Sequence, residues 1–253
     1  MTRATVTFVT TFSGQGIVPR EAGSACAVMA HRGASRAEVE NTVVAFRRAA
    51  EMGADGVELD VRRTRDGALV VHHDPKLADG RSIVETDAGD LPPHVPSLAD
   101  ALEACAPLWV NVEIKNDPAE PDFDPQDDIA VSVIDHLVAH QPSRRILISS
   151  FRRETIDRCH ALAPDIATAW LTPGIADDRI DDDLDDLVRS GHAAVHPWHG
   201  LVTQRLVNAA HARGLLVNVW TCDEPERMLE LAAWGVDGIC TNVPDVALTT
   251  LGR

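Results

Sequence analysis

A chain of 253 residues that is 45% hydrophobic can build one sizeable core, and a (β/α)8 barrel alone occupies about 250 residues. Lys and Arg number 23 against 39 Asp and Glu, a formal charge of −16 that repels polyanions, so nucleic acid is not an expected partner. No run of about eighteen apolar residues occurs, and stable membrane insertion is not expected either.

Residues 1–24 are Thr-rich and only mildly apolar, and Pro19-Arg20-Glu21 precedes any cleavage-like site. They read as an N-terminal extension without a secretion signal. From there, short β-branched runs predict strands over 25–30, 56–61, 109–115, 146–149, 166–171, 193–196, 216–221 and 238–241. Segments of helical period alternate with them near 42–52, 97–105, 127–140, 153–162, 179–189, 203–212, 226–234 and 244–251. Ser97 stands where an N-cap belongs, and Gly53 and Gly214 follow helices as C-terminal stops. Eight such βα units predict a closed (β/α)8 TIM barrel, with a doubly wound open sheet as the alternative. Residues 69–73 form an additional strand in a short insertion after the second strand unit. No Gly-, Pro- or Ser-rich linker divides residues 25–253, so one barrel domain is expected.

Cys26, Cys105, Cys159, Cys222 and Cys240 are odd in number, widely spaced and contain no C-x-x-C. That pattern argues for buried reduced thiols in a cytoplasmic protein, and against a disulfide framework or a zinc site.

Barrel chemistry belongs at the C-terminal strand ends, and several reactive residues fall there. Glu58 and Asp60 share one face of their strand, as do Glu113 and Lys115 of theirs. Inward charge is costly unless paired or metal-bound. The three carboxylates therefore read either as oxygen ligands for Mg2+ or Ca2+, or as a structural salt bridge with Lys115. His31-Arg32-Gly33 adds a base, a fork-shaped anion binder and a backbone that tolerates close approach. His73-Asp74 supplies a second imidazole. His72 and His73, neighbours on an extended segment, point to opposite faces, so only one can serve the site. His192, His196 and His199 are placed around the sixth strand exit, where His196 either lines the pocket or packs. The acidic run 177–186 lacks the spacing of a calcium loop and reads as a solvated helix face.

The run His31-Arg32-Gly33, Glu40-Asn41-Thr42, Val57-Glu58-Leu59-Asp60-Val61 and His73-Asp74 closely resembles the glycerophosphodiester phosphodiesterases. So do Val112-Glu113-Ile114-Lys115, Ser150-Phe151, Val219-Trp220-Thr221 and Thr241-Asn242-Val243-Pro244-Asp245, and the resemblance covers nearly the whole chain from Ala27 onward. It implies metal-dependent hydrolysis of a small glycerophosphodiester to sn-glycerol 3-phosphate and an alcohol. His31 and His73 look like the acid/base pair, and Glu58, Asp60 and Glu113 like ligands of one divalent cation, with Glu40 a further contact. Arg32 and Lys115 look like phosphate binders and Trp220 like a pocket wall. Val39 stands where the family usually has Pro, and the segment 75–96 is shorter than the family's insertion, which leaves the head group undefined. A lysophospholipase D-like activity at the same site and a non-catalytic barrel are the competing readings. The attacking group is either water or a substrate hydroxyl.

Overall fold

Val- and Ile-rich runs alternate with amphipathic segments, and the computed structural model, which describes residues 26–140 and 145–253, turns each into the expected element. In chain order these are β1 (Ala27–His31), α1 (Val43–Met52), β2 (Gly56–Arg63), β3 (Leu69–Val71), α2 (Leu98–Ala104), β4 (Trp109–Ile114) and α3 (Asp128–His140). There follow β5 (Ile146–Ser150), α4 (Arg153–Leu162), β6 (Ala167–Thr172), α5 (Ile180–Arg189), β7 (Ala194–Pro197) and α6 (Gln204–Ala212). The series ends with β8 (Leu216–Val219), α7 (Pro225–Trp234), β9 (Gly238–Thr241) and α8 (Pro244–Thr250). Caps set the helix limits. Thr42 Oγ1 accepts from Ala45 N at 3.2 Å to start α1, and Gly53 ends it at φ 85°, a left-handed turn that favours glycine. Ser97 caps α2 in the same way. The expected N-terminal extension, residues 1–24, lies outside the described residues.

Strand pairing decides between the two architectures. The sheet runs β1-β9-β8-β7-β6-β5-β4-β2 in parallel, and β1 also pairs with β2, which closes it into an eight-stranded barrel and removes the open sheet. β3 pairs antiparallel with β2, bridges Ser97 through Val70, and stands outside the ring. It stops at Val71, two residues short of the predicted strand, so His72 and His73 lie past its end. Val70, Leu77 and Ile83 give the insertion a small core of its own. The larger apolar clusters lie between barrel and helices, one around Phe46, Leu59 and Val112 and the other around Val195, Val217 and Ile239.

Alternation along the strands divides the barrel interior into two zones. Met29, Trp109 and Cys240 pack together, as do Leu147, Ala169 and Ala194, giving an apolar floor. Above it, towards the strand C-termini, Glu58, Asn111, Glu113, Ser149, His196 and Asn218 form a buried polar layer. The floor depends on Gly56. A Cβ there would meet ring atoms of Trp109 at 2.3–2.7 Å, with no flexible chain end to yield. Gly56→Ala is therefore expected to cost about 1–3 kcal/mol by overpacking, or about 2–4 °C in Tm per kcal/mol for a chain of this size. A thermal melt that matches the parent protein would contradict this account of the floor.

Candidate active site

Register sets which side chains meet. His31 stands level with Glu58, Glu58 with Asn111, and Asp60 with Glu113. Oxygens of Glu58, Asp60 and Glu113 consequently gather within 4.8 Å of one another, all buried. Glu58, Glu113, Lys115, His31, Arg32, His73 and Trp220 line one cavity of about 140 Å³; Asp60 lies behind that wall. Lys115 Nζ stands 3.0 Å from Asp60 Oδ1 and 2.5 Å from Glu113 Oε1. Asp60 Oδ2 also accepts from Asn41 Nδ2 at 2.7 Å and lies 3.3 Å from Arg32 Nε. Glu58 Oε1 is buried without a hydrogen-bond partner among the described residues.

The charges explain one another. Burial opposes ionisation of Asp60, but the Lys115 and Arg32 cations outweigh it and hold that carboxyl well below the usual range. Burial, then the neighbouring Asp60 and Glu113 charges, pushes Glu58 well above its ordinary value. Glu113 is raised by burial as well, and the carboxylates keep Lys115 protonated. Three acids against one ammonium and one guanidinium leave the buried carboxylates under-neutralised, with Glu58 Oε1 lacking a hydrogen-bond partner among the described residues. That donor set fits a hard divalent cation.

Arg32 reaches the site through an uncommon backbone. Its φ of 57° and Gly33's of 81° fold the β1 exit back, so that Arg32 N donates to Glu58 Oε2 at 3.0 Å. A Cβ on Gly33 would strike Ala45 main-chain carbon at 2.6 Å, which explains glycine there. Glu40, expected as a further contact to the site, accepts from Arg32 Nη1 at 2.9 Å and stands outside the acidic trio.

His31 is held by residues the sequence reading assigned no role. Asn242 N and Nδ2 both donate to Asp223, at 2.8 Å each, which turns Asn242 Oδ1 towards His31 Nδ1 at 2.7 Å. Nδ1 must then carry the proton, and Nε2 keeps its lone pair, 3.9 Å from Glu58 Oε2. Burial and the Arg32 charge pull this imidazole down to about 4, so it is neutral at pH 7 and able to accept a proton. Asn242→Ala is expected to lower kcat about ten- to hundredfold with KM little changed and the melt preserved, the loss typical of an orienting partner. A normal kcat in that variant would remove Asn242 from the arrangement.

His73 faces the cavity from past β3, with Nδ1 2.7 Å from Asp74 Oδ1. Its main-chain oxygen accepts from Arg62 Nε at 2.8 Å and Nη2 at 2.5 Å. Arg62 is buried and pairs with Glu120 and Asp122 at 2.9 and 2.6 Å, so an arginine not singled out in the sequence ties the loop after β4 to the second histidine. His72 does not line that cavity; with Glu40, His94 and also His73 it lines a smaller one beside it. Trp220 falls one residue past β8, bridges Trp198 and sets its ring edge-on to Phe151 at 5.4 Å. Its Nε1 donates to the His196 carbonyl at 2.7 Å. His196 lines the cavity; burial pulls it down to about 3, and Asn218 Nδ2 lies 2.9 Å from its Nε2. His192 was misplaced: it precedes β7 at the opposite end, held by Thr168 and Asp157 at 2.8 and 2.9 Å.

Residues 31–246 match the sequence model of the glycerophosphoryl diester phosphodiesterase family. A glycerophosphodiester phosphodiesterase of Caldanaerobacter subterraneus is 30% identical over 89% of this chain and 98% of its own length. Another, from Bacillus altitudinis, is 31% identical over 87% and 96%. Among solved structures, an Oleispira antarctica phosphodiesterase in complex with the product sn-glycerol-3-phosphate superposes with a TM-score of 0.81 at 24% identity, covering 90% of this chain and 98% of that one.

Proposed function

This chain belongs to the glycerophosphoryl diester phosphodiesterase family, and from that premise we propose that it hydrolyses small glycerophosphodiesters to sn-glycerol 3-phosphate and an alcohol, with one Mg2+ or Ca2+ and the imidazoles of His31 and His73. The observation that carries the reading is the meeting, around one cavity, of an under-neutralised carboxylate trio, two cations and two imidazoles. Glu58, Asp60 and Glu113 would hold the ion. When bound, the ion supplies positive charge against the phosphoryl oxygens. Arg32 and Lys115 bind the remaining phosphoryl oxygens and stabilise charge that develops during transfer. His31, neutral and oriented by Asn242, takes a proton from the attacking hydroxyl at Nε2. His73 returns one to the departing alkoxide at the cavity edge. Trp220 and Phe151 wall the pocket and limit water. The relative solved with sn-glycerol-3-phosphate supports placing the glycerol phosphate here.

The test is an assay of glycerophosphocholine against lysophosphatidylcholine, with and without divalent ion. The expected products from the first are sn-glycerol 3-phosphate and choline, identified by mass spectrometry. Phosphocholine plus glycerol would mean that the leaving group is reversed. A lysophospholipase D-like activity has one observation in its favour: Phe151 and Trp198, 39% and 40% exposed, and the exposed Leu201 offer apolar surface near the mouth. Faster turnover of lysophosphatidylcholine would select that reading. No helix among the described residues is long and apolar enough to cross a membrane.

A further inference from the structure

Among the described residues a second group of metal-ligating side chains converges, apart from the acidic trio, in the loops after β7 and β8. It joins His199, in the short 3-10 turn His199–Leu201 after β7, to Cys222 and Glu224 in the loop after β8. One ligand atom from each lies within 4.8 Å of the other two. Each group is short of a strong partner. His199 Nδ1 is buried with no hydrogen-bond partner among the described residues. Among the described residues Cys222 Sγ has only long hydrogen bonds, 3.8 Å to the main-chain oxygen and to Oε2 of Glu224. Arg227, close enough to act on His199 by charge, pairs with Glu230 rather than Glu224 and donates to the His199 and Val202 carbonyls.

We propose that His199, Cys222 and Glu224 form a second metal site, for a transition-metal cation of the Zn2+ class, on the rim of the barrel mouth and separate from the hard-cation centre. The donor set decides the class. A thiolate and an imidazole select borderline or soft cations, whereas Mg2+ and Ca2+ want oxygen alone. Three protein ligands leave the fourth tetrahedral position to water. Binding forms a metal–sulfur bond as the thiol proton passes to solvent. Metal–sulfur and metal–nitrogen bonds of about 2.3 and 2.0 Å require the ligands to draw somewhat closer, and the exposed Glu224 carboxylate can supply that movement. Spacing along the chain hides such a site because it contains one cysteine and no C-x-x-C. The ion would also clip together the loops that carry a pocket wall, since His199 N donates to the Trp220 carbonyl at 2.8 Å.

The experiment titrates Co2+ into the folded protein with Mg2+ in excess, and reads thiolate-to-cobalt charge-transfer absorption, which oxygen ligands cannot produce. One equivalent of absorbing cobalt is expected. Cys222→Ala should lose the band and His199→Asn should weaken Co2+ binding about tenfold or more, with both variants folded by thermal melt. Cys240→Ala, which removes the thiol lining the catalytic cavity, should keep the band. His199 is only partly buried, so its variant remains informative if Cys222→Ala fails to fold. Absence of the band in the parent protein, or its survival in folded Cys222→Ala or at full strength in His199→Asn, would overturn the proposal.

Discussion

His73→Ala is expected to lose roughly two to four orders of magnitude in kcat, while His72→Ala stays within about tenfold of the parent. The two residues are adjacent, equally polar and both past the end of β3, so composition cannot separate them. Geometry does. His73 faces the cavity lined by Glu58, Glu113 and Lys115, and Arg62 holds its main-chain carbonyl. His72 opens on the neighbouring cavity, with Nδ1 2.9 Å from the Asp74 carbonyl. Neither ring belongs to the apolar core, so both variants should melt like the parent. Comparing kcat for the two decides the matter, and a dead His72→Ala beside an active His73→Ala would reverse the acid/base assignment.

Removing the divalent ion is expected to abolish turnover, with Mg2+ or Ca2+ restoring it, and to destabilise the protein more as pH rises. The sign follows from the carboxylates. Glu58 and Glu113 have folded values raised by burial, so what they contribute to stability is complete below the ordinary Glu value and is lost as pH climbs through the raised ones. Asp60, held low by Lys115 and Arg32 against the cost of burial, is ionised throughout the range above about pH 5 and adds no slope there. A bound cation neutralises the same carboxylates and removes the loss. The gap in Tm between loaded and chelated protein should therefore widen as pH rises above the ordinary Glu range. Activity that persists in a metal-free preparation, or a gap that shrinks with pH, would count against the trio as ligands.

How much of this was legible beforehand depended on distance along the chain. Helices and strands were legible because their signals are local: alternation through Val57-Glu58-Leu59-Asp60, a cap at Ser97, a stop at Gly53. Glu58, Asp60, Glu113 and Lys115 could be put on common faces from period two alone, and the barrel register then brought the strands together. What stayed hidden were pairings between remote segments. Asn242 reaches His31 across 211 residues, and Arg62 reaches Glu120 across 58, and no periodicity marks either. Glu40 shares the motif, but only the left-handed turn at Arg32 reveals that its contact is with the guanidinium. His192 was assigned to the wrong end because a residue two before a strand looks, in sequence, much like one two after it.

The hold that Asn242 and Asp223 have on His31 also imposes an order in time. His31 closes the first strand of the barrel, whereas its orienting amide sits just past the last. A chain emerging from the ribosome would present the imidazole early, on a ring still open between β1 and β9, with the Nδ1 proton uncommitted. Catalytic competence would then arrive as a single late event, when the ninth strand docks against the first and delivers the amide. Under the proposed mechanism, a chain that lacks its last strand would lack the amide that orients His31.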